Sequence, residues 1–273
     1  MLKQAIDLPG VGNARELGGY AIADKHVKSG VLLRSAGLDR ASSEALERLE
    51  SDYRLQALVD LRMSMEQTRL PDPQVPGATN YHLPVMEIQD FPVPEGLDPA
   101  AFDLLNDPKA NKMKLFDIAY EYGMVGPDLY VNFVMGARGK KAYADFFRIL
   151  LDLDDDRAVL WHCTDGKDRT GCASALLLSA LGADRQTVRE DYLLTNEFNA
   201  PLLAATQQRL AGRPMPQDKL DALLFMVGKV SEAYLNRAFD AIEQSYGSVE
   251  GYLRDELGVG AEETRLLRDK FLA

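Results

Sequence analysis

The chain has 273 residues, 46% of them hydrophobic and 27% charged, the balance of a folded globular protein large enough for a sizeable core. A net charge of −11 argues against non-specific nucleic-acid binding and against docking on anionic membranes, since both need a basic face; a local positive pocket for an anionic substrate stays compatible with it. Two cysteines, Cys163 and Cys172, are too few for a disulfide framework and point to a reducing compartment.

The opening stretch "MLKQAIDLPGVGNARELGGY" lacks the apolar core of a signal peptide, and the longest apolar run, "ASALLLSALGA", is too short to cross a bilayer. The expected location is the cytoplasm by default, with no stable membrane insertion and with signal-independent export left open. Short apolar stretches rich in valine and leucine read as buried strands: "VLLRS" at 31, "QALVDL" at 56, "NYHLPV" at 80 and "AVLWH" at 158. Between the first two, Leu46, Leu49 and Tyr53 recur at helical spacing, with Ser42 or Ser43 as the cap and Glu44 in the first turn. Strand, helix, strand is the grammar of a parallel sheet covered on both faces, so the fold class is α/β.

Pro84 to Gly139 departs from this pattern, with a proline-rich loop, "PVMEIQDFPVPEGLDP", followed by helical pieces such as "NKMKLFDIAYEY". A helix over "KAYADFFRILLDL" then leads into "AVLWH", and everything after it reads as helical, beginning with "DRQTVREDYLL" capped by Asp184. Within that part, Ala200 to Lys229 holds "RPMPQDKL" between two helix-like stretches. Residues 84–139 and 200–229 are candidate lids or insertions on a single domain spanning 1–273, or else ordinary peripheral packing. Phe225 and Met226 read as core hydrophobics rather than lid hydrophobics.

The chemistry concentrates in "VLWHCTDGKDRTGCASALLL". A strand ending at His162 and a helix starting near Asp168 leave a tight loop, and the helix N-terminus offers unpaired N–H groups to an anion. Successive loop amides can form a nest for a tetrahedral anion, with Thr164, Asp165, Gly166 and Lys167 around it. Gly166 permits a left-handed turn, and Gly171 permits close packing of the helix. Arg169 can grip two oxygens of the anion with its planar fork. Such surroundings stabilise a thiolate, so Cys163 is the expected nucleophile and covalent phosphoryl transfer the expected chemistry. Adjacent strand residues point to opposite faces, so His162 is not the base of a Cys-His dyad; its expected task is to orient and stiffen the loop.

"HCTDGKDRTG" resembles the H-C-x5-R-T/S phosphate-binding loop of cysteine-dependent phosphatases. Its G-K-D-R form resembles the bacterial tyrosine phosphatase family related to the secreted mycobacterial and Listeria enzymes. "NARELGGY", "LLRSAGL", "VDLRMSMEQ", "DYLLTN" and "YGSVEGYLRDELG" resemble that family's landmarks in the same order, so the likeness covers nearly the whole chain. The resemblance implies a tyrosine-phosphatase-like fold: a central, mostly parallel sheet flanked by helices, in some members with a helical lid. It implies hydrolysis of phosphotyrosine, sometimes of phosphoserine, phosphothreonine or phosphoinositides, with phosphorylated proteins or phospholipid head groups as partners. Carried over, Cys163 forms the phosphocysteine, Arg169 binds the phosphoryl oxygens and Thr170 stabilises the departing thiolate.

A general acid is also needed. The resemblance makes Asp168 the first candidate, with the Arg169 cation and a bound phosphate dianion acting on it in opposite senses. Glu87 and Asp90 are rivals from the proline-rich segment, where "QDFP" has a short likeness to the Asp-Pro loops of other tyrosine phosphatases. Lys167 resembles the loop lysine of phosphoinositide phosphatases, or is a solvated surface lysine. Asp165 departs from related loops, which often carry a small residue there. A carboxylate at that point is expected to repel highly charged substrates, by about 1 kcal/mol per charge pair at ~4 Å in water, and to favour phosphotyrosine-like monoesters. Asp60 and Arg62 close a strand, as pocket residues or as a structural ion pair, and Asn13 and Arg15 are expected to brace the fold. Cys172 reads as a buried small hydrophobe. The histidines, His26, His82 and His162, show no metal-ligand spacing, so neither metal nor cofactor is expected. A rhodanese-type sulfurtransferase and a non-catalytic phosphate-binding module are the competing readings, and the oligomeric state stays open.

Overall fold

A computed structural model describes residues 4–90, 94–105, 107, 110–212 and 214–273. Three two-residue strands come first, β1 (Arg15–Glu16), β2 (Ala21–Ile22) and β3 (Lys25–His26). β4 (Leu32–Ser35), α1 (Ser43–Ser51), β5 (Leu55–Asp60), α2 (Ser64–Arg69) and β6 (Thr79–His82) follow. Four helices intervene, α3 (Pro99–Leu105), α4 (Lys112–Glu121), α5 (Asp128–Met135) and α6 (Ala137–Asp152), before β7 (Ala158–His162). The rest is helical: α7 (Asp168–Leu181), α8 (Arg185–Phe198), α9 (Ala200–Leu210), α10 (Gln217–Val227), α11 (Glu232–Tyr246), α12 (Val249–Leu257) and α13 (Ala261–Phe271).

The main sheet has the order β1-β4-β7-β5-β6, parallel except for β1, which runs antiparallel to β4 at one edge. Position in the sheet follows side-chain character. Every residue of the apolar β7 is buried, as a strand with neighbours on both sides and helices on both faces requires. The reading of "NYHLPV" as a buried strand is corrected: all four residues of the polar β6, Thr79–His82, are exposed, because it lies at the edge of the sheet. The β7 register sets Ser35 and Asp60 level with His162, so three parallel strands end together and the chain leaves the middle one at Cys163. The carboxyl edge of a parallel sheet is where α/β proteins place their ligands.

Alternation along the strands separates two cores. Leu33, Leu58 and Leu160 face a small cluster with Ala45 and Leu49 of α1. Leu32, Val59 and Trp161 face the larger cluster built with α5 to α8 and α10 to α13, and Cys163 belongs to that side. Among these helices α7 is apolar around most of its circumference and is accordingly the buried one, ending on Gly182 in a left-handed cap at φ 94°. Ser42 caps α1 by accepting from the Ala45 N–H, and Asp184 caps α8 through Thr187. No helix among the described residues is long and apolar enough to cross a membrane.

Candidate active site

The strand-to-helix junction folds as its residues dictate. Gly166 has φ +64°, and a Cβ there would lie 2.4 Å from the Ser35 backbone, so both conformation and space demand glycine. Gly171 lets the first turn of α7 approach the Tyr192 ring, which a Cβ would meet at 3.1 Å. Among the described residues, the N–H groups of residues 164–169 donate to no backbone carbonyl, which leaves these donors unpaired by the backbone ahead of and at the helix N-terminus.

The back of the loop is held from the sheet. Asn13 Nδ2 donates to the carbonyls of Asp165 (3.2 Å) and Gly166 (2.9 Å), Arg34 Nη2 to Gly166 (3.0 Å), and the Gly37 N–H to Thr164 (3.1 Å). Arg34 is itself paired with the buried Asp191 of α8, which also receives Arg15 Nε at 3.4 Å. Two guanidiniums thus share one carboxylate, and burial first, then the neighbouring Arg34 charge, pushes Arg15 down to about 10. Asn13 and Arg15 therefore reach the loop itself, Arg15 by bonding Asn13 Oδ1.

Cys163 is 1% exposed. His162 turns to the other side of the sheet, with Nε2 3.0 Å from Asp72 Oδ2 and Nδ1 3.2 Å from the Cys163 carbonyl oxygen. Asp60, Asp72 and His162 converge closely enough to suggest a metal site, but Arg62 fills it. Its guanidinium lies 2.8 and 2.9 Å from the two Asp60 oxygens and 3.0 Å from Asp72. Of the two alternatives for Asp60, pocket group or ion pair, the structure has the ion pair.

Arg169 is gripped by Glu66 of α2, Nη1 to Oε2 at 2.6 Å and Nη2 to Oε1 at 3.2 Å, and Thr164 Oγ1 donates to the same carboxylate. Burial alone would raise the Glu66 pKa; the Arg169 charge and these hydrogen bonds outweigh it and bring it to about 2. Thr170 Oγ1 is buried and has no hydrogen-bond partner. Lys167 is not a solvated surface lysine: it is 2% exposed, with Nζ 2.8 and 2.9 Å from the two oxygens of Asp168 and 3.9 Å above the Phe225 ring. Asp168 Oδ1 also accepts from Tyr130 Oη at 2.5 Å, and that hydroxyl lies 2.8 Å from Tyr192 Oη. Asp165 is half-buried, and its carboxylate takes part in no hydrogen bond or ion pair among the described residues.

The rival acids are engaged elsewhere. Glu87 accepts from the N–H and hydroxyl of Ser64, and Asp90 from Arg138 and the Glu87 N–H. In "QDFP", Phe91 and Pro92 lie outside the described residues, as does Arg213 of "RPMPQDKL". Cys172 is 1% exposed, and burial pushes its thiol up. Phe225 is buried, stacked on Tyr234 at 4.0 Å, whereas Met226 is 43% exposed and not a core residue, because the helical turn carries it to the outer face of α10. A cavity of about 630 Å³ lies at the far end of α7, lined by Gly182, Ser248 and Arg268 and not by Cys163.

Sequence reasoning missed Glu66, Asp72, Tyr130 and Asp191 as partners of the loop. Glu66 and Asp191 stood inside the stretches "VDLRMSMEQ" and "DYLLTN" already singled out. Nothing local says which acid in them meets an arginine 103 or 157 residues away.

A family model described as the tyrosine phosphatase family matches residues 6–273. A provisionally named tyrosine-protein phosphatase of Cupriavidus necator is 31% identical over 256 residues, covering 93% of this chain and 85% of its own. The triple specificity protein phosphatase PtpB of Mycobacterium tuberculosis is 30% identical over 275 residues, covering 91% of this chain and 92% of its own. A tyrosine-protein phosphatase of Nostoc commune is 30% identical over 116 residues, covering 41% of this chain and 38% of its own.

Proposed function

The chain belongs to the tyrosine phosphatase family and is a phosphoric monoester hydrolase; from that premise we propose that it cleaves phosphotyrosine-type monoesters through a phosphocysteine on Cys163. In this reading the N–H groups of residues 164–169, which donate to no backbone carbonyl, and the Arg169 guanidinium hold the phosphoryl group, and electrostatic stabilisation there is the main source of rate. Sγ attacks phosphorus, the S–P bond forms as the ester P–O bond breaks, and a carboxylic acid protonates the departing oxygen. Water then attacks phosphorus, phosphate leaves and the thiolate returns. Glu66 fixes the plane of Arg169, so little ordering remains to be done when substrate arrives. The Thr170 hydroxyl bonds the sulfur as it departs, a role supported by its lack of any other hydrogen-bond partner among the described residues.

Residues 84–139 and 200–229 act in this reading as a cover. Tyr130 and Phe225 come from them and reach Asp168 and Lys167, and α4 is tied to α10 by Lys219–Asp117 at 2.8 Å and by Tyr120–Asp218. A nucleophile only 1% exposed needs such a cover to open before substrate enters.

The observation that carries the proposal is the two-point grip of Glu66 on Arg169 beside unpaired amides and a buried cysteine. Hydrolysis of 4-nitrophenyl phosphate, reduced by roughly three orders of magnitude or more in Cys163→Ser, is the expected result. A Cys163→Ser protein as active as the wild type would overturn the proposal.

A further inference from the structure

We propose that Asn13 is a positioning residue for phosphate: its side-chain amide turns the loop peptides so that the N–H groups of Gly166 and Lys167 face the bound anion. The assignment rests on the phosphatase reading above and adds to it a residue from outside the loop. In a planar trans peptide the N–H points opposite to the carbonyl of the residue before it, and no described peptide bond is cis. Whatever holds a loop carbonyl therefore aims the next amide the other way. Asn13 Nδ2 donates to the carbonyls of Asp165 at 3.2 Å and Gly166 at 2.9 Å, and Arg34 Nη2 reaches the Gly166 carbonyl at 3.0 Å. The Gly37 N–H holds the Thr164 carbonyl at 3.1 Å. The N–H groups of residues 165, 166 and 167 are thereby turned away from these donors, and none of them meets a backbone carbonyl.

A side-chain amide offers donors on one side and an acceptor on the other, so its direction has to be fixed from outside. Arg15 Nη1 donates to Asn13 Oδ1, which leaves Nδ2 for the loop. Arg15 is in turn held by α8, with Nη2 3.0 Å from the Asp191 carbonyl oxygen and 3.0 Å from Thr195 Oγ1. The Asp191 carboxylate pairs with both Arg15 and Arg34, so one acid steadies the two groups that bind the Gly166 carbonyl. Asn13, Arg15, Arg34 and Asp191 are all buried, and water does not compete for these bonds. The Asn13 backbone is left-handed at φ 52°, a conformation that asparagine adopts more readily than most residues.

The test uses Asn13→Gly and Asn13→Asp in the full chain. Glycine keeps the left-handed backbone and removes the amide. Aspartate keeps the shape and the bond to Arg15 but turns an acceptor towards the two loop carbonyls. Without the donor the loop peptides are free to rotate. Inorganic phosphate and vanadate, measured as competitive inhibitors of 4-nitrophenyl phosphate hydrolysis, should then each bind more weakly by roughly 10-fold or more. The kcat/KM should fall by roughly 10- to 100-fold, less than the loss of a donor that touches the anion itself. Urea melts of the same proteins separate positioning from folding. A brace for the fold alone would lower the midpoint and leave both inhibition constants of the folded protein unchanged. Wild-type inhibition constants in whichever variant folds would overturn the assignment while leaving Cys163-dependent hydrolysis intact. A wild-type protein that neither cleaves the ester nor binds phosphate would overturn the phosphatase reading and this assignment together.

Discussion

Two carboxylates beside one loop end in opposite states although burial pushes both upward. Glu66, bonded by Arg169 and Thr164, falls to about 2; Asp165, with no donor, rises to about 6. The difference is the partner, not the depth. A carboxyl group with a raised pKa works against the fold once it ionises. Between its unfolded value, near ~4, and about 6, the native chain holds more protons than the unfolded one, so stability falls as pH rises through that window. Asp165→Asn should therefore raise stability by about 1 to 2 kcal/mol at pH 7 to 8, with the gain fading to nothing below about pH 4. Urea melts at pH 3.5, 5 and 7.5 measure it. A gain that is the same at all three would mean that Asp165 carries no such penalty.

Among the elements, α7 and its preceding loop were the most legible. An apolar run ending in a small polar loop and restarting as a longer apolar run has few alternatives to strand, turn and buried helix. Less legible was α10, whose apolar positions say only that one face is buried. Burial of Phe225 was readable from its neighbours; that its ring lies under Lys167 and against Tyr234 was not. If α10 is part of the cover, loosening it should expose the nucleophile. Phe225→Ala removes a stacked pair and a cation–π contact worth roughly 1 kcal/mol together, so Cys163 should alkylate with iodoacetamide about 5 to 10 times faster. Peptide mapping separates Cys163 from Cys172. An unchanged rate would assign α10 to ordinary packing.

At the scale of the molecule, the cations nearest the nucleophile are already spent on carboxylates of the chain itself: Arg169 on Glu66, Lys167 on Asp168. With a net charge of −11 around them, a substrate with a second phosphate finds no free cation in the loop to receive it. The kcat/KM for a phosphotyrosine peptide should exceed that for a bisphosphorylated inositide by roughly tenfold or more. Equal values would mean that Lys167 leaves Asp168 to meet the second phosphate. The same pairings mark the limit of the linear reading. Order along the chain was enough for the parallel strands, the caps at Ser42 and Asp184, and the strand-to-helix loop from Cys163 to Arg169, because each depends on residues a few positions apart. It did not show the two-residue strands β1 to β3, which are too short to carry a period. Nor did it show which acid holds Arg169, which anchors Arg34, or which carboxylate stays empty. Those outcomes join residues 103 and 157 positions apart, and backbone packing, not local pattern, chooses among many equivalent side chains.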